Sequence, residues 1–298
     1  MTICILSDVH GNHRALEACL AHARERGAQA FIFLGDYISD GACPQKTMEL
    51  LYGCAAQHDC RFIRGNREEY MLDYRAGKIT GWKDGSSTGS LLYTYENLTG
   101  KDLEWFSTLD NQGRVSFPGA PSLFYCHGAP WKTNGSLKQG DPDTEKQLRQ
   151  LPESCIVCGH THRLGTYFVG LFALGQKAVV KAGSVGIPLS TPGKAQMLFL
   201  HSTGGSMPRW QWEYALVPYD VQGAVRELYT SGLMERGRVW TAMQAHALLT
   251  GENIAGLLPP YAQSLYEKDG GPRGPWAQIP EAYWQRAAEA FSLETGKF

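Results

Sequence analysis

Ser7-Asp8-Val9-His10-Gly11-Asn12 follows the short apolar run Ile3 to Leu6 and precedes a helical pattern, so it reads as the mouth of a buried strand. Side chains two apart on an extended chain share a face, so Asp8 and His10 can turn toward one point. A carboxylate and an imidazole converging in this way suit a divalent metal. Alone, the spacing more often marks a turn with a capping Asp. The weight comes from the same grammar recurring downstream.

Working outward, Leu16, Cys19, Leu20 and Ala23 fall at helical spacing between Ala15 and Arg26, and Gly27 ends the run. Ala30 to Leu34 is a second all-apolar strand, followed at once by Gly35-Asp36-Tyr37. Pro44 opens a helix from about Gln45 to Ala56, and Arg61 to Arg64 is a third strand ending in Gly65-Asn66-Arg67. A strand at Ser122 to Cys126 ends in His127-Gly128, and one at Cys155 to Cys158 ends in Gly159-His160-Thr161-His162. Alternating strands and helices predict parallel pairing, with ligands gathered at the carboxyl ends of the strands. The expectation is that five loops meet above one common sheet edge.

The remaining segments are plainer. Gly77 to Gly89 is expected to be a surface loop without chemistry, and Ala129 to Asp143 an exposed loop that could shape substrate access. Strand character returns around 114–117, and the short strands around 166–168, 177–181, 195–200 and 210–216 suggest a second sheet packed on the first. From about Asp220 the chain reads as helical. Val221, Leu228, Leu233, Trp240, Met243, Leu248 and Leu249 are expected to cap the sandwich, with a contact between two copies as the alternative. Trp276, Trp284 and Phe291 suggest that the end is packed. The domain expectation is 1–219 for the catalytic unit and 220–298 for a helical extension.

Composition narrows the function. The 298 residues carry a net charge of -1 with no run of like charges, which argues against capture of a nucleic-acid polymer or an anionic membrane. No stretch approaches the roughly 18 apolar residues of a membrane span, and no secretory leader is legible, so a cytoplasmic location is expected. Of eight cysteines, Cys4, Cys60, Cys126, Cys155 and Cys158 lie in or beside strands and read as buried reduced thiols. Cys155 and Cys158 have the spacing of a zinc pair, but in a strand they would face opposite sides.

The strand ends together supply Asp8, His10, Asp36, Asn66, His127, His160 and His162. Four imidazoles, two carboxylates and an amide suit manganese, iron or zinc better than calcium or magnesium, and seven ligands exceed what one such ion takes. Two divalent metal ions are implied, with Asp36, alone on its strand end, as the natural bridge. Such a pair would hold a phosphate and activate water. His22, His58, His201 and His246 have no such setting and read as surface or structural.

The series Asp8/His10, Gly35/Asp36, Gly65/Asn66, His127/Gly128 and Gly159-His160-Thr161-His162 resembles, in order, the motifs of the calcineurin-like metallophosphoesterase family. Asp8-Val9-His10-Gly11-Asn12, Ala15-Leu16-Glu17-Ala18, Gly183-Ser184-Val185-Gly186 and Val217-Pro218-Tyr219-Asp220 bring it nearest the small bacterial and archaeal phosphodiesterase branch. The resemblance covers about residues 1–230 and implies an α/β fold, a two-sheet β-sandwich flanked by helices. It implies one metal on Asp8, His10, Asp36 and His162 and the other on Asp36, Asn66, His127 and His160. A metal-bridging hydroxide would hydrolyse a small phosphomonoester or phosphodiester.

Two departures qualify this. Many relatives follow the Asn with a His that protonates the leaving group, whereas Arg67 stands here; Arg cannot serve as that acid but can clamp a phosphate. Pairing of Arg67 with Glu68, Glu69 or another carboxylate is the competing expectation. Asp40, after Ser39, stands where the protein-phosphatase branch carries Arg, which speaks against a phosphoprotein phosphatase. His13 is the nearest alternative acid, although an exposed helix start explains it more simply. Asp36, His127 and Arg67 are the expected catalytic residues. The alternative, encouraged by the absent His, is a non-catalytic scaffold of this fold that binds a protein partner.

Overall fold

The computed structural model describes residues 1–170, 175–205 and 209–293. The chain begins with β1 (Thr2–Leu6), α1 (His13–Glu25), β2 (Ala30–Phe33), α2 (Pro44–Gln57) and β3 (Asp59–Phe62). These three strands pair in parallel, Leu6 beside Phe33 and Phe33 beside Phe62. Their carboxyl ends therefore open on the same side. The helices α3 (Asn66–Arg75), α4 (Gly89–Glu96) and α5 (Gly100–Thr108) follow.

A second sheet starts with β4 (Gln112–Val115) and β5 (Leu123–Cys126), continues after α6 (Pro142–Leu148) with β6 (Cys155–Cys158), and is completed by β7 (Leu164–Val169) and β8 (Lys177–Ala182). β9 (Lys194–Ser202) and β10 (Trp210–Pro218) return to the first sheet. The strand orders are β10-β9-β1-β2-β3 and β4-β5-β6-β8-β7. This corrects the expectation of one common sheet edge: three of the five loops leave the first sheet and two leave the second. It also splits the late short strands, two joining each sheet.

Between the sheets Ile3, Ile5, Ile32, Leu123, Val157, Val180, Leu198 and Leu200 are buried. At about 1.5–3 kcal/mol for each fully buried aliphatic side chain, this layer is the main adhesive of the sandwich. The alternate residues Cys4, Leu6, Phe31 and Phe33 face α1 and meet Leu16, Cys19 and Leu20. Cys155 belongs to the layer between the sheets and Cys158 to the outer face with Leu148, so the two thiols do point apart. All eight cysteines are free.

The last part of the described chain consists of α7 (Val221–Thr230), α8 (Leu233–Thr250), α9 (Leu258–Lys268) and α10 (Glu281–Ala290). Leu228, Leu233 and Leu248 pack on Ala42 and Tyr93, while Met243 joins a separate cluster around the fully buried Trp284. Leu249 and Trp276 do not take part as expected, each being 42% exposed. α8 is kinked at Arg238 (φ 44°). The cause is the 77–89 segment, whose Gly85 N–H donates to Arg236 C=O (2.8 Å) and whose Ser86 Oγ accepts from Val239 N–H (3.1 Å), diverting groups that a straight helix would pair internally. That segment is thus no plain surface loop; Ser86 is buried and also hydrogen-bonded to Glu281. In the 129–143 loop Leu137 is buried, anchoring a stretch expected to be exposed. Among the described residues no helix is long and apolar enough to cross a membrane.

Candidate metal centre

Parallel pairing of β1, β2 and β3 delivers Asp8, His10, Asp36 and Asn66 to one end of the first sheet, and β5 and β6 deliver His127, His160 and His162 from the second. All seven predicted residues meet. His162 Nε2 lies 3.2 Å from Asp8 Oδ1 and 3.0 Å from His10 Nε2. His127 Nε2 lies 3.4 Å from Asp36 Oδ2 and 3.3 Å from Asn66 Oδ1. Asp8, His10 and His162 form one group able to hold an ion, and Asp36, His127 and His160 a second. Asp36 Oδ2 is also 3.7 Å from His10 Nε2, so it faces both groups. Its Oδ1 does not share this duty, because it accepts the Arg67 backbone N–H (2.8 Å). One oxygen, not two, stands between the groups.

The backbone bears the cost of this convergence. Asp8, His10, Asp36, His160 and His162 all adopt left-handed conformations, with φ between 49° and 66°. Each costs about 1 kcal/mol or more, an appreciable share of the 5–15 kcal/mol by which a domain is stable. Compensation is local: Asp8 N–H donates to Gly35 C=O, His10 N–H to Asp36 C=O, and Asp8 C=O accepts from Gly186 N–H and Ser184 Oγ. Two glycines permit the close approach. A Cβ on Gly65 would overlap Asp36, and one on Gly159 would overlap Ser7 and Asp8.

The far nitrogens fix the rings. His127 Nδ1 donates to Leu34 C=O (2.7 Å) and His162 Nδ1 to Ile187 C=O (2.9 Å), while His10 Nδ1 faces Asp40 Oδ2 at 3.3 Å. Each Nε2 is thereby turned inward, the arrangement that metal-binding imidazoles use. Asp8 Oδ2 accepts from Ser7 and from His160 N–H, whereas Asp8 Oδ1 is buried without a hydrogen bond. An orphaned carboxylate oxygen among imidazole nitrogens fits a cation.

Charge balance agrees. Burial pushes the Asp8 carboxyl up, but His162, His127 and His10 outweigh it and hold Asp8 well below the ordinary range. Burial favours neutral imidazoles, yet Asp40 and Asp8 push His10 up to about 10, and Asp36 and Asp8 push His127 up to about 9. His160, buried beside His127, falls to about 4. The buried carboxylates thus demand nearby positive charge, which a divalent ion supplies.

Three further residues, named in the sequence reading only in other roles, support the site. Glu68 is buried and accepts the backbone N–H groups of Asp36 (2.9 Å), Tyr37 (2.8 Å) and Gly65 (2.7 Å), tying the second loop to the third. Its signal was the glutamate three residues after Gly65, at the start of a helix. Asp40 is a hub: besides His10 it binds Arg67 Nη2 (2.8 Å), Trp240 Nε1 (2.8 Å) and Ser90 Oγ (3.3 Å). Arg67 is therefore paired as the competing expectation had it, with a carboxylate, which is Asp40 and neither Glu68 nor Glu69. Trp240 carried no signal at all, standing 200 positions from its partner. His13 is engaged by Glu227 (3.1 Å) in a group with Cys43, but Arg14 (2.9 Å) and Lys46 (3.7 Å) also reach Glu227, so its charge is balanced without an ion.

The centre opens into a cleft of about 360 Å³ bordered by Arg67, His160, His162 and, from the C-terminal helices, Trp240, Gln244 and Asn253. Residues 1–164 match the family model of the calcineurin-like phosphoesterases, more than half of the chain, and the protein belongs to that family. A metallophosphoesterase from Sphaerobacter thermophilus shares the fold with a TM-score of 0.64 at 18% identity, over 85% of this chain and 100% of that one. A hypothetical protein from Pyrococcus horikoshii OT3 does so with a TM-score of 0.67 at 17% identity, over 85% and 99%. No curated protein matches the sequence.

Proposed function

We propose that the protein is a phosphoesterase dependent on two divalent metal ions, acting on a small phosphomonoester or phosphodiester. The observation that carries this is the pair of inward-facing groups, Asp8/His10/His162 and Asp36/His127/His160, with Asp36 Oδ2 between them and Asp8 Oδ1 buried among imidazole nitrogens without a hydrogen bond. Asp8, His10, Asp36 and His162 would hold one ion, and Asp36, Asn66, His127 and His160 the other; manganese, iron and zinc suit these donors. When bound, such a pair supplies Lewis-acid charge and lowers the pKa of water. The residues do the rest. Asp40 holds Arg67 beside the centre, so that its remaining N–H groups can clamp phosphate oxygens where negative charge develops. Leu34 C=O keeps His127 in the tautomer whose Nε2 accepts. With Asp40 and Asp36 outweighing burial and raising the Arg67 pKa, that residue releases no proton, so the leaving group takes one from solvent. We place this activity on residues 1–219, with 220–298 as an extension that walls the cleft, and the protein in the cytoplasm.

The test uses metal-stripped protein reloaded with manganese, iron or zinc and assayed on p-nitrophenyl phosphate and bis-p-nitrophenyl phosphate beside Asp36→Asn. Turnover that needs metal and falls at least a thousandfold in Asp36→Asn is expected. Two bound ions without turnover would favour the non-catalytic scaffold.

A further inference from the structure

The cleft wall contributed by the C-terminal helices carries residues that belong to neither candidate metal group. Trp240 is half-buried there, and its Nε1–H is spent on Asp40, the carboxylate that also holds Arg67. The indole is therefore fixed in orientation: its edge is bound, part of it packs on the cluster around Trp284, and the rest borders the cleft. Beside it stands Trp276, 42% exposed, with ring centroids 6.3 Å apart and planes tilted by 47°. An exposed indole alone signifies little. Two adjoining indoles, one rigid and lining a cleft that ends at a cationic phosphate site, amount to a stacking platform. Gln244 and Asn253 line the same wall; Asn253 Oδ1 is taken by Gly256 N–H, which leaves its amide N–H groups for a ligand edge. A volume of about 360 Å³ accommodates a ring and a sugar.

We infer that the cleft selects phosphoesters whose alcohol carries a flat aromatic heterocycle, that is nucleoside phosphates, over sugar or alkyl phosphates. This rests on the phosphoesterase reading above. The phosphate would lie at Arg67, the base against Trp240 with Trp276 flanking that indole from outside the cleft lining, and its polar edge toward Gln244 and Asn253.

Adenosine 5′-monophosphate and ribose 5-phosphate share the same ester bond and differ in the base, and their methyl phosphodiesters form a second matched pair. With manganese-loaded protein, kcat/KM should favour the base-bearing member of the hydrolysed pair by about tenfold or more, in line with the stacking strength of a base on an aromatic side chain. In Trp276→Ala, a change at an exposed site, that ratio should fall at least threefold; Trp240→Leu should lower it further. A ratio near one, or a ratio unmoved in Trp276→Ala, overturns the inference while leaving the phosphoesterase intact. Hydrolysis of the p-nitrophenyl esters with neither matched pair accepted overturns it as well. Failure on every ester removes the phosphoesterase reading, and this one with it.

Discussion

Trp240 Nε1 donates to Asp40 Oδ1 at 2.8 Å, which places a residue of the C-terminal helices two contacts away from His10 of the candidate metal centre. The opposite oxygen of Asp40 faces His10 Nδ1 and Arg67 Nη2. Asp40 is held below the ordinary carboxylate range: burial alone would raise it, but Arg67 and His10 outweigh burial. One carboxylate thus orients the His10 imidazole toward the candidate ligand group and holds a guanidinium and an indole at the cleft.

Trp240→Phe keeps a ring and removes this hydrogen bond. Deleting one donor to a buried charged acceptor costs about 1.5–3 kcal/mol. Asp40 retains its other partners, so the protein should fold, with kcat/KM reduced about tenfold and metal binding weakened. Metal titration by calorimetry, run beside the kinetics, checks both. Undisturbed kinetics would mean that Asp40 needs no help from the C-terminal helices.

Arg67→Ala removes the proposed phosphate clamp and the guanidinium partner of Asp40. Turnover should fall about a hundredfold, the scale of losing one stabilising donor in a transition state. Arg67→Lys should recover little of it, because an ammonium cannot hold Asp40 and a phosphate with one planar fork. Steady-state rates on p-nitrophenyl phosphate, with metal content measured on the same samples, separate loss of the clamp from loss of metal.

Gly65→Ala tests whether close packing builds the centre. The added Cβ would meet the Asp36 carboxylate and its backbone nitrogen, neither of which can yield while Glu68 grips that loop. Overpacking of this kind costs about 1–3 kcal/mol. The variant should melt at lower temperature and bind fewer than two ions per chain; unchanged stoichiometry by elemental analysis would show the third loop to be more pliant than drawn.

Why the ligands could be read from the sequence and their supports could not is a matter of range. Asp8, Asp36, His127 and His160 each follow a strand of four or five apolar residues and lie beside or close to a glycine, so local pattern alone reveals them. Which sheet each strand joins depends on pairings such as Ile5 with Leu198 or Cys126 with Cys158, which no local pattern encodes. The single common edge expected from strand-helix alternation was therefore replaced by two sheets. Trp240 looked like one more apolar residue of an amphipathic helix, because the kink at Arg238 just before it is hydrogen-bonded to Gly85 and Ser86, about 150 positions earlier.

The seam between α1 and α7 gives a pH dependence separate from the metal centre. Glu227 of α7 receives Arg14 Nη2 (2.9 Å) and His13 Nε2 (3.1 Å) from α1. Burial pushes its carboxyl up, but Arg14 and His13 outweigh burial, so the folded pKa lies below the ordinary 4.5. Between that depressed value and 4.5 the unfolded chain binds more protons than the folded one, so stability rises with pH through this window. The contribution is complete above 4.5 and is lost as pH falls through the folded pKa. Arg14 is one-third exposed, so the interaction is worth only about 1 kcal/mol after screening. Glu227→Gln should therefore be less stable than the parent by about that amount at pH 7, and the difference should shrink toward zero near pH 3. Urea melts of both proteins at intervals from pH 3 to pH 7 make the comparison. A difference that stays constant across the range would assign the role of Glu227 to its shape and hydrogen bonds, with its charge contributing nothing.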